Sequence, residues 1–243
     1  MSSYYIIDTE THDKNEPEVI QVSLITSQGE SYNAFARPKS KVKPAATVVH
    51  GIPNNEAQDF PQKEETSAEL QKVLTKLYET HERPIYCIGH NISFDINALD
   101  NLLPRFAPKN TICTMSCATR MLPINEIGGA SLDAVHYYFY ENIVRLKELR
   151  IKHDALVDVK LTEELLVKFI ELAPDGTIDS LYEFSKIPIE LQEWPMGKYK
   201  GQKLDPFDSN QNSYCHWLIK QDWAEEKYSD LLYTIELRFG IKK

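Results

Sequence analysis

The sequence predicts an α/β fold in which a mixed β-sheet is flanked by helices and followed by a small C-terminal domain. Three apolar segments separated by short polar turns open the chain, helical and apolar segments then alternate, and a Pro-Asp-Gly turn follows residue 172. The 243 residues suffice for one large domain with a small addition. We predict a first domain at 1–173, a linker with a short helix at 174–193, and a C-terminal domain at 194–243.

The first strands are predicted at residues 3–8, 19–25 and 29–38, where aromatic and branched residues cluster. Their short connections favour an antiparallel meander. A helix over 64–80 follows, and the run "PIYCIG" at 84–89 is typical of a buried strand reached by a helical crossover.

The start of the 64–80 helix carries a capping-box pattern, in which Thr66 and Glu69 satisfy free backbone N–H groups. Further along, "NTICT" at 110–114 predicts a short strand. Helical patterns then occupy about 114–122, 131–140 and 154–172.

Four acidic residues are candidates for one site. Asp8 and Glu10 end the first strand two residues apart, so their side chains share a face of the sheet. Asp95 follows the buried strand at 84–89, and Asp158 lies three residues before Leu161 on the apolar side of its helix. Carboxylates placed toward a core are costly unless a cation compensates them.

His153 precedes this helix, where an imidazole could accept a proton near neutral pH. Each feature alone also has a simpler interpretation: a solvated acidic loop for Asp8 and Glu10, an acid favoured by a helix N-terminus for Asp95, and a surface histidine for His153. The four segments together are more specific than any one of them alone.

Composition and charge exclude several classes of protein. The net charge of −9 argues against nonspecific coating of nucleic acid, and four scattered cysteines fit neither a disulfide scaffold nor a zinc finger. Because neither a signal peptide nor a membrane-length apolar run is evident, we expect a soluble cytoplasmic protein with no membrane partner.

The order of the four acids and the histidine resembles the DEDDh exonucleases, a family with the RNase H-like fold. "IIDTET" matches the first motif, "GHNISFD" the second and "HDALVD" the third. The resemblance covers about residues 4–172, and the segment "TVVHGI" at 47–52 is similar to a family loop near the substrate.

The resemblance implies a 3′→5′ exonuclease that releases nucleoside 5′-monophosphates from DNA 3′ ends. It implies two Mg²⁺ or Mn²⁺ ions about 4 Å apart, and oxygen ligands suit such hard ions. Asp8 would bridge the ions, Glu10 and Asp158 would complete one coordination shell, and Asp95 would support the second. His153 would deprotonate the attacking water.

Further residues of the matching segments are candidate substrate contacts. They are Thr9, Thr11, His50, Asn91 and Phe94, of which Phe94 could equally be a core residue. One departure is that many relatives follow the first motif with Gly-Leu, whose leucine wedges between terminal bases. Here Asp13 and Lys14 follow instead, which puts the wedge in doubt.

The C-terminal part resembles a small domain found in some members of this family, through "MGKYKGQKL" at 196–204. Lys198 and Lys200 flank Tyr199, a combination that suits a strand backbone and a base face, so these three residues are also candidate substrate contacts. A glycine-flanked turn with solvated lysines is the alternative.

The predicted partner is single-stranded DNA or a DNA 3′ end, and no protein partner can be inferred. An exoribonuclease with the same chemistry remains open, because the motifs do not define the sugar. A non-catalytic nucleic-acid-binding module also remains, although such a module has no physical reason to keep four unneutralised carboxylates.

Overall fold

The computed structural model of the chain describes residues 2–143, 145–146 and 153–242. Two compact units divide it, Met1–Ser185 and Lys186–Lys243. The first unit contains the sheet and all the candidate acids, and the second is helical.

The sheet of the first unit has five strands in the order β3-β2-β1-β4-β5. The strands are β1 (Ser3–Thr11), β2 (Val19–Thr26), β3 (Ser31–Phe35), β4 (Ile85–Gly89) and β5 (Thr111–Cys113). β1 pairs antiparallel with β2 and parallel with β4, and β5 extends the parallel side. The predicted mixed sheet with an antiparallel meander at its start is therefore confirmed.

Helices cover both faces of this sheet. They are α1 (Pro44–His50), α2 (Asn54–Ala57), α3 (Lys63–Thr80), α4 (Ile92–Asp100), α5 (Thr114–Met121), α6 (Ile124–Ile127), α7 (Leu132–Tyr140), α8 (Ala155–Leu172) and α9 (Ile178–Ser185). Within the described ranges, none of the helices is both long and apolar enough to cross a membrane.

Alternate residues of β1 point into two different cores. Ile6 packs with α8 residues such as Leu165 and Phe169, whereas Tyr5 and Ile7 pack with residues of α3 and α4. Because side chains alternate along a strand, Asp8 and Glu10 share the face of Ile6, toward α8, and Thr9 faces the other side.

The predicted capping box of α3 is wrong. The helix begins at Lys63 with Gln62 at its N-cap, so Thr66 lies inside the first turn. Its hydroxyl donates instead to the carbonyl of Phe35 at 2.7 Å, which ties the helix to the end of β3. The acidic residues Glu64 and Glu65 in the first turn are favourable to the helix dipole.

The short helix predicted within the 174–193 linker is α9, and it belongs to the first unit. Ile178 and Leu181 are buried in the same core as α8, which places the division after Ser185 rather than after residue 173. Burial of these two side chains is the physical reason for the shift, since a linker helix would expose its apolar face.

The second unit contains a short 3₁₀ turn at Gly197–Tyr199 and the helices α10 (Ser209–Leu218), α11 (Asp222–Lys227) and α12 (Ser229–Phe239). Its separate core includes Trp194, Leu204, Leu218 and Ile235. The Trp194 indole donates to Oε1 of Gln211 at 2.7 Å, which anchors the segment before the turn to α10.

Candidate active site

Three of the predicted site residues converge at the end of β1. Potential ligand atoms of Glu10, His153 and Asp158 all lie within 4.8 Å of one another. Glu10 comes from the sheet, Asp158 from the first turn of α8, and His153 from the segment just before that helix. Residues far apart in sequence thus form one cluster.

The start of α8 places Asp158 against the sheet. Asp154 is the N-cap, and its carboxylate accepts from the backbone N–H groups of Leu156 at 2.8 Å and Val157 at 3.3 Å. A cap of this kind sets where a helix begins. With the start defined, Asp158 lies on the buried side of α8, one turn before Leu161, and only 7% of it is exposed.

His153 lies on the open side of the cluster. Its Nδ1 is 3.8 Å from Oδ2 of Asp158, and 44% of its side chain is exposed. Its backbone N–H donates to the carbonyl of Val49 at 3.2 Å, so the end of α1 helps to hold it. The imidazole can therefore reach both the acids and the solvent.

Asp95 is buried beside the cluster. It lies in the first turn of α4, and its Oδ1 accepts from the backbone N–H of Thr9 at 2.9 Å and from the Thr9 hydroxyl at 2.8 Å. Burial, with a smaller contribution from the charge of Asp158, raises the pKa of Asp95 to about 7, and the two Thr9 hydrogen bonds oppose this rise. A nearby cation would favour the charged carboxylate.

Asp8 is half-buried on β1, on the same face as Glu10, and lies opposite Ser23 of β2. It is not one of the three residues with converging ligand atoms. The donor set of four carboxylates and one imidazole fits a hard divalent cation such as Mg²⁺ or Mn²⁺, which prefers oxygen ligands.

Three predicted substrate contacts have buried side chains. Thr9 bonds to Asp95, and the hydroxyl of Thr11 donates to the carbonyl of Asp13 at 3.0 Å. His50 is only 4% exposed; its Nδ1 accepts from the N–H of Ile52 at 3.1 Å, and burial lowers its pKa. All three side chains are thus engaged by contacts within the protein, and Thr9 is the one of the three that bonds to a candidate acid.

The segment 47–52, predicted as a loop, is mostly helical. It forms the end of α1, and Gly51 follows in the left-handed region with φ 74°. Val48 and Val49 are exposed there. His50, by contrast, is buried.

Asn91 and Phe94 stay candidate substrate contacts. Asn91 adopts a left-handed conformation with φ 75° before α4, and its carbonyl accepts from the N–H of Phe94 at 2.9 Å. Phe94 is partly exposed and is not part of the apolar clusters formed by the described residues. Lys198, Tyr199 and Lys200 lie in the second unit.

Sequence reasoning missed Gln21, which lies opposite Glu10 on β2 and is 1% exposed. Its Nε2 donates to Asn33 at 3.1 Å and to Asp154 at 3.4 Å, and its Oε1 accepts from the N–H of Ala155 at 3.3 Å. A polar residue within the apolar run "VIQVSLI" was the available signal. Gln21 thereby joins two strands to the start of α8.

Comparison with known proteins defines the class. A family model described as Exonuclease, RNase_T, matches residues 6–166, and the chain belongs to this family of DEDD 3′→5′ exonucleases, as its motifs predict. It is thus a hydrolase of the 3′→5′ exonuclease type. Among curated proteins, no sequence matches the chain.

Solved structures show the same fold. Exonuclease X in complex with 5′ overhanging duplex DNA is 23% identical with a TM-score of 0.52, and the match covers 75% of this chain and 99% of that one. E. coli Exonuclease I in complex with a dA16 oligonucleotide is 18% identical with a TM-score of 0.55, over 76% of this chain and 43% of that one. Exonuclease I from Methylocaldum szegediense is 20% identical with a TM-score of 0.54, over 76% of this chain and 42% of that one.

The chain thus spans less than half the length of the two Exonuclease I chains. The similarity to Exonuclease X is the relationship that the motifs and the C-terminal sequence predict. Since the match leaves a quarter of this chain uncovered, similarity of the C-terminal domain stays a prediction.

Proposed function

We propose that this protein is a metal-dependent exonuclease that removes nucleoside 5′-monophosphates one at a time from DNA 3′ ends. The convergence of Glu10, His153 and Asp158 within 4.8 Å carries the proposal. DNA is the favoured substrate because similar folds have been solved with a dA16 oligonucleotide and with overhanging duplex DNA.

The four acids are assigned as ligands of two Mg²⁺ or Mn²⁺ ions. When bound, such ions stabilise negative charge on the attacking and leaving oxygens of a phosphodiester. Thr9 holds the carboxylate of Asp95 through two hydrogen bonds, and Asp154 fixes the start of α8 and thus the position of Asp158. Both supports reduce the motion of the ligands.

His153 is assigned as the general base. Its Nδ1 faces Asp158, so we assign Nε2 as the atom that accepts a proton from the attacking water. The water oxygen forms a bond to phosphorus, the bond from phosphorus to the 3′-oxygen breaks, and that oxygen takes a proton from solvent while His153 releases its own to solvent. The products are a nucleoside 5′-monophosphate and a strand shortened by one nucleotide.

The direct test incubates the purified protein and Mg²⁺ or Mn²⁺ with 5′-labelled single-stranded DNA and RNA of one sequence, beside an Asp158→Ala control. The expected result is a DNA ladder that shortens from the 3′ end and is absent in the control and in EDTA. A ladder for RNA alone would replace the DNA assignment with an exoribonuclease.

If no single or double strand is cut with either metal, the proposed activity is excluded. Calorimetric titration with Mn²⁺ then decides between the remaining classes. Absence of metal binding would indicate a non-catalytic module, whose carboxylates have no cation to hold.

A further inference from the structure

A row of aromatic rings crosses the second unit. Tyr214 and Trp217 are three residues apart on α10 and therefore lie on one side of it. Their rings are stacked, with centroids 5.2 Å apart and planes 17° from parallel. Tyr199 contacts Tyr214 at one end, and Trp223 contacts Trp217 at the other.

Trp217 is the most exposed ring of this row, with 47% of the residue exposed, whereas Tyr199, Tyr214 and Trp223 are only partly exposed. Tyr199 packs against Trp194 and Tyr214, and the Lys198 ammonium lies over its ring, 4.7 Å from the centroid. The sequence suggested Tyr199 as the base-stacking side chain, but the geometry favours Trp217. Tyr214 supports the Trp217 indole and limits its rotation.

Positive charge lies next to this stacked pair. Lys198, Lys200 and Lys203 are all exposed, and no acidic residue occurs between Met196 and Leu204. The Lys198 ammonium is 5.2 Å from the ring centroid of Tyr214, the ring that supports Trp217.

The turn that carries these lysines is pressed against Tyr214. A Cβ placed at Gly197 would lie 2.3 Å from the Tyr214 hydroxyl oxygen, so only glycine allows this approach. Gly197 also has φ 69°, a conformation that favours glycine. The lysines are therefore held beside the aromatic row by the backbone of the turn.

The charge of the second unit permits contact with an anion. Residues 186–243 contain nine Lys or Arg and nine Asp or Glu, so this unit contributes nothing to the chain's net charge of −9. The acidic excess lies entirely in the first unit. Within the second unit, the segment 198–203 is locally basic.

We propose that the second unit is a binding site for single-stranded nucleic acid, in which an unpaired base stacks on Trp217 and neighbouring phosphates contact Lys198 and Lys200. Stacking on an exposed aromatic ring beside lysines is the general way in which proteins bind single strands without reading their sequence. The site uses none of the carboxylates of the first unit. The proposed binding of single strands is therefore independent of the proposed hydrolysis.

Tryptophan fluorescence reports on the second unit alone. All three tryptophans of the chain, Trp194, Trp217 and Trp223, lie in the second unit, and Trp194 is 1% exposed. The full chain is titrated with a short oligothymidylate in EDTA, because removal of divalent metal prevents cleavage of the strand. We expect saturable quenching by the single strand, and little by a duplex or by an abasic strand of equal length, because neither offers an unpaired base.

Two sets of variants assign the contacts. Trp217→Leu should weaken binding of a fluorescein-labelled strand about 10-fold by anisotropy. Without metal the carboxylates of the first unit repel the strand, so the anisotropy reports mainly on the second unit. Lys198→Gln with Lys200→Gln should lower the slope of log affinity against log salt by about 1.4.

The matched control for the lysine pair is Lys72→Gln with Lys109→Gln, two exposed lysines of the first unit. It makes the same change in net charge and should keep the wild-type slope. Equal quenching by duplex and single strand, or a wild-type salt slope in the Lys198 and Lys200 variant, would overturn the proposal. The lysine pair is exposed, so this test holds even if Trp217→Leu fails to fold.

Discussion

Thr9 donates two hydrogen bonds to one carboxylate oxygen of Asp95, from its backbone N–H and from its hydroxyl. Thr9 lies between Asp8 and Glu10 in sequence but faces the opposite side of β1. One tripeptide therefore supplies two acids to one face of the sheet and the support for a third acid on the other.

Thr9→Val should raise the Mn²⁺ concentration needed for half-maximal activity by about 10-fold or more, because removal of a hydrogen bond to a metal ligand typically has that cost. Valine keeps the shape and the backbone donor but loses the hydroxyl. The measurement is initial rate against Mn²⁺ concentration. Thr9→Ser, which keeps the hydroxyl, should behave as wild type, and an unchanged Thr9→Val curve would mean that the backbone bond alone suffices.

His153→Ala should lower turnover by about 10² or more, which is the usual contribution of a general base. If the imidazole acts only as a base, calorimetry should find the same Mn²⁺ affinity as in the wild type. A large loss of Mn²⁺ affinity would instead assign His153 as a ligand, an arrangement that its proximity to Glu10 and Asp158 permits.

Asp154→Ala should reduce the free energy of unfolding by about 1 kcal/mol, because it removes the N-cap of α8. The readout is the urea midpoint at constant slope. Asp154→Asn keeps the accepting oxygen and should lose little. If both variants unfold at the wild-type midpoint, the start of α8 is held by Gln21 and not by the cap.

Glu164 should contribute to stability at neutral pH and lose that contribution in acid. The Arg145 guanidinium donates a hydrogen bond to the Glu164 carboxylate, and Nε2 of His136 donates another at 2.7 Å. These two partners hold the pKa of Glu164 below its usual range, although burial acts in the opposite direction. A carboxyl whose pKa is lower in the folded state stabilises above its unfolded pKa, about 4.3, and this stabilisation disappears as the pH falls through the folded pKa.

Glu164→Gln tests this dependence through urea unfolding at a series of pH values. The wild type should exceed the variant in stability near pH 7 and approach it as the pH falls below about 4. A difference that is constant with pH would show that the hydrogen bonds contribute and the charge does not.

Much of the first unit could be predicted from local patterns. Clusters of aromatic and branched residues with short turns located β1 to β3, and the step of three and four along α8 placed Asp158 toward the sheet. The acids were found because their order matches a known family. The start of α3 was predicted to within one residue, but its capping box was wrong because Thr66 serves a tertiary contact with Phe35, which no local pattern contains.

The supporting contacts were harder to predict. Gln21 and Thr9 act through partners more than 80 positions away in the sequence, Asp154 and Asp95. The alternation rule could have placed Thr9 away from Asp8 and Glu10, but its partner becomes visible only when α4 packs against the sheet. In the second unit, the close approach of Gly197 to Tyr214 and the exposure of Trp217 likewise become visible only in the folded structure.

The central position of β1 has a consequence for the order of folding. β1 and β2 form a local antiparallel pair that can close early, but the parallel partner β4 and the helix α8 come from distant parts of the chain. We therefore expect Asp8 and Glu10 to be placed before Asp95 and Asp158 arrive. During refolding, the recovery of hydrolysis would consequently report when α8 docks. Protection of backbone amides in the β1–β2 hairpin would report the earlier pairing of these two strands.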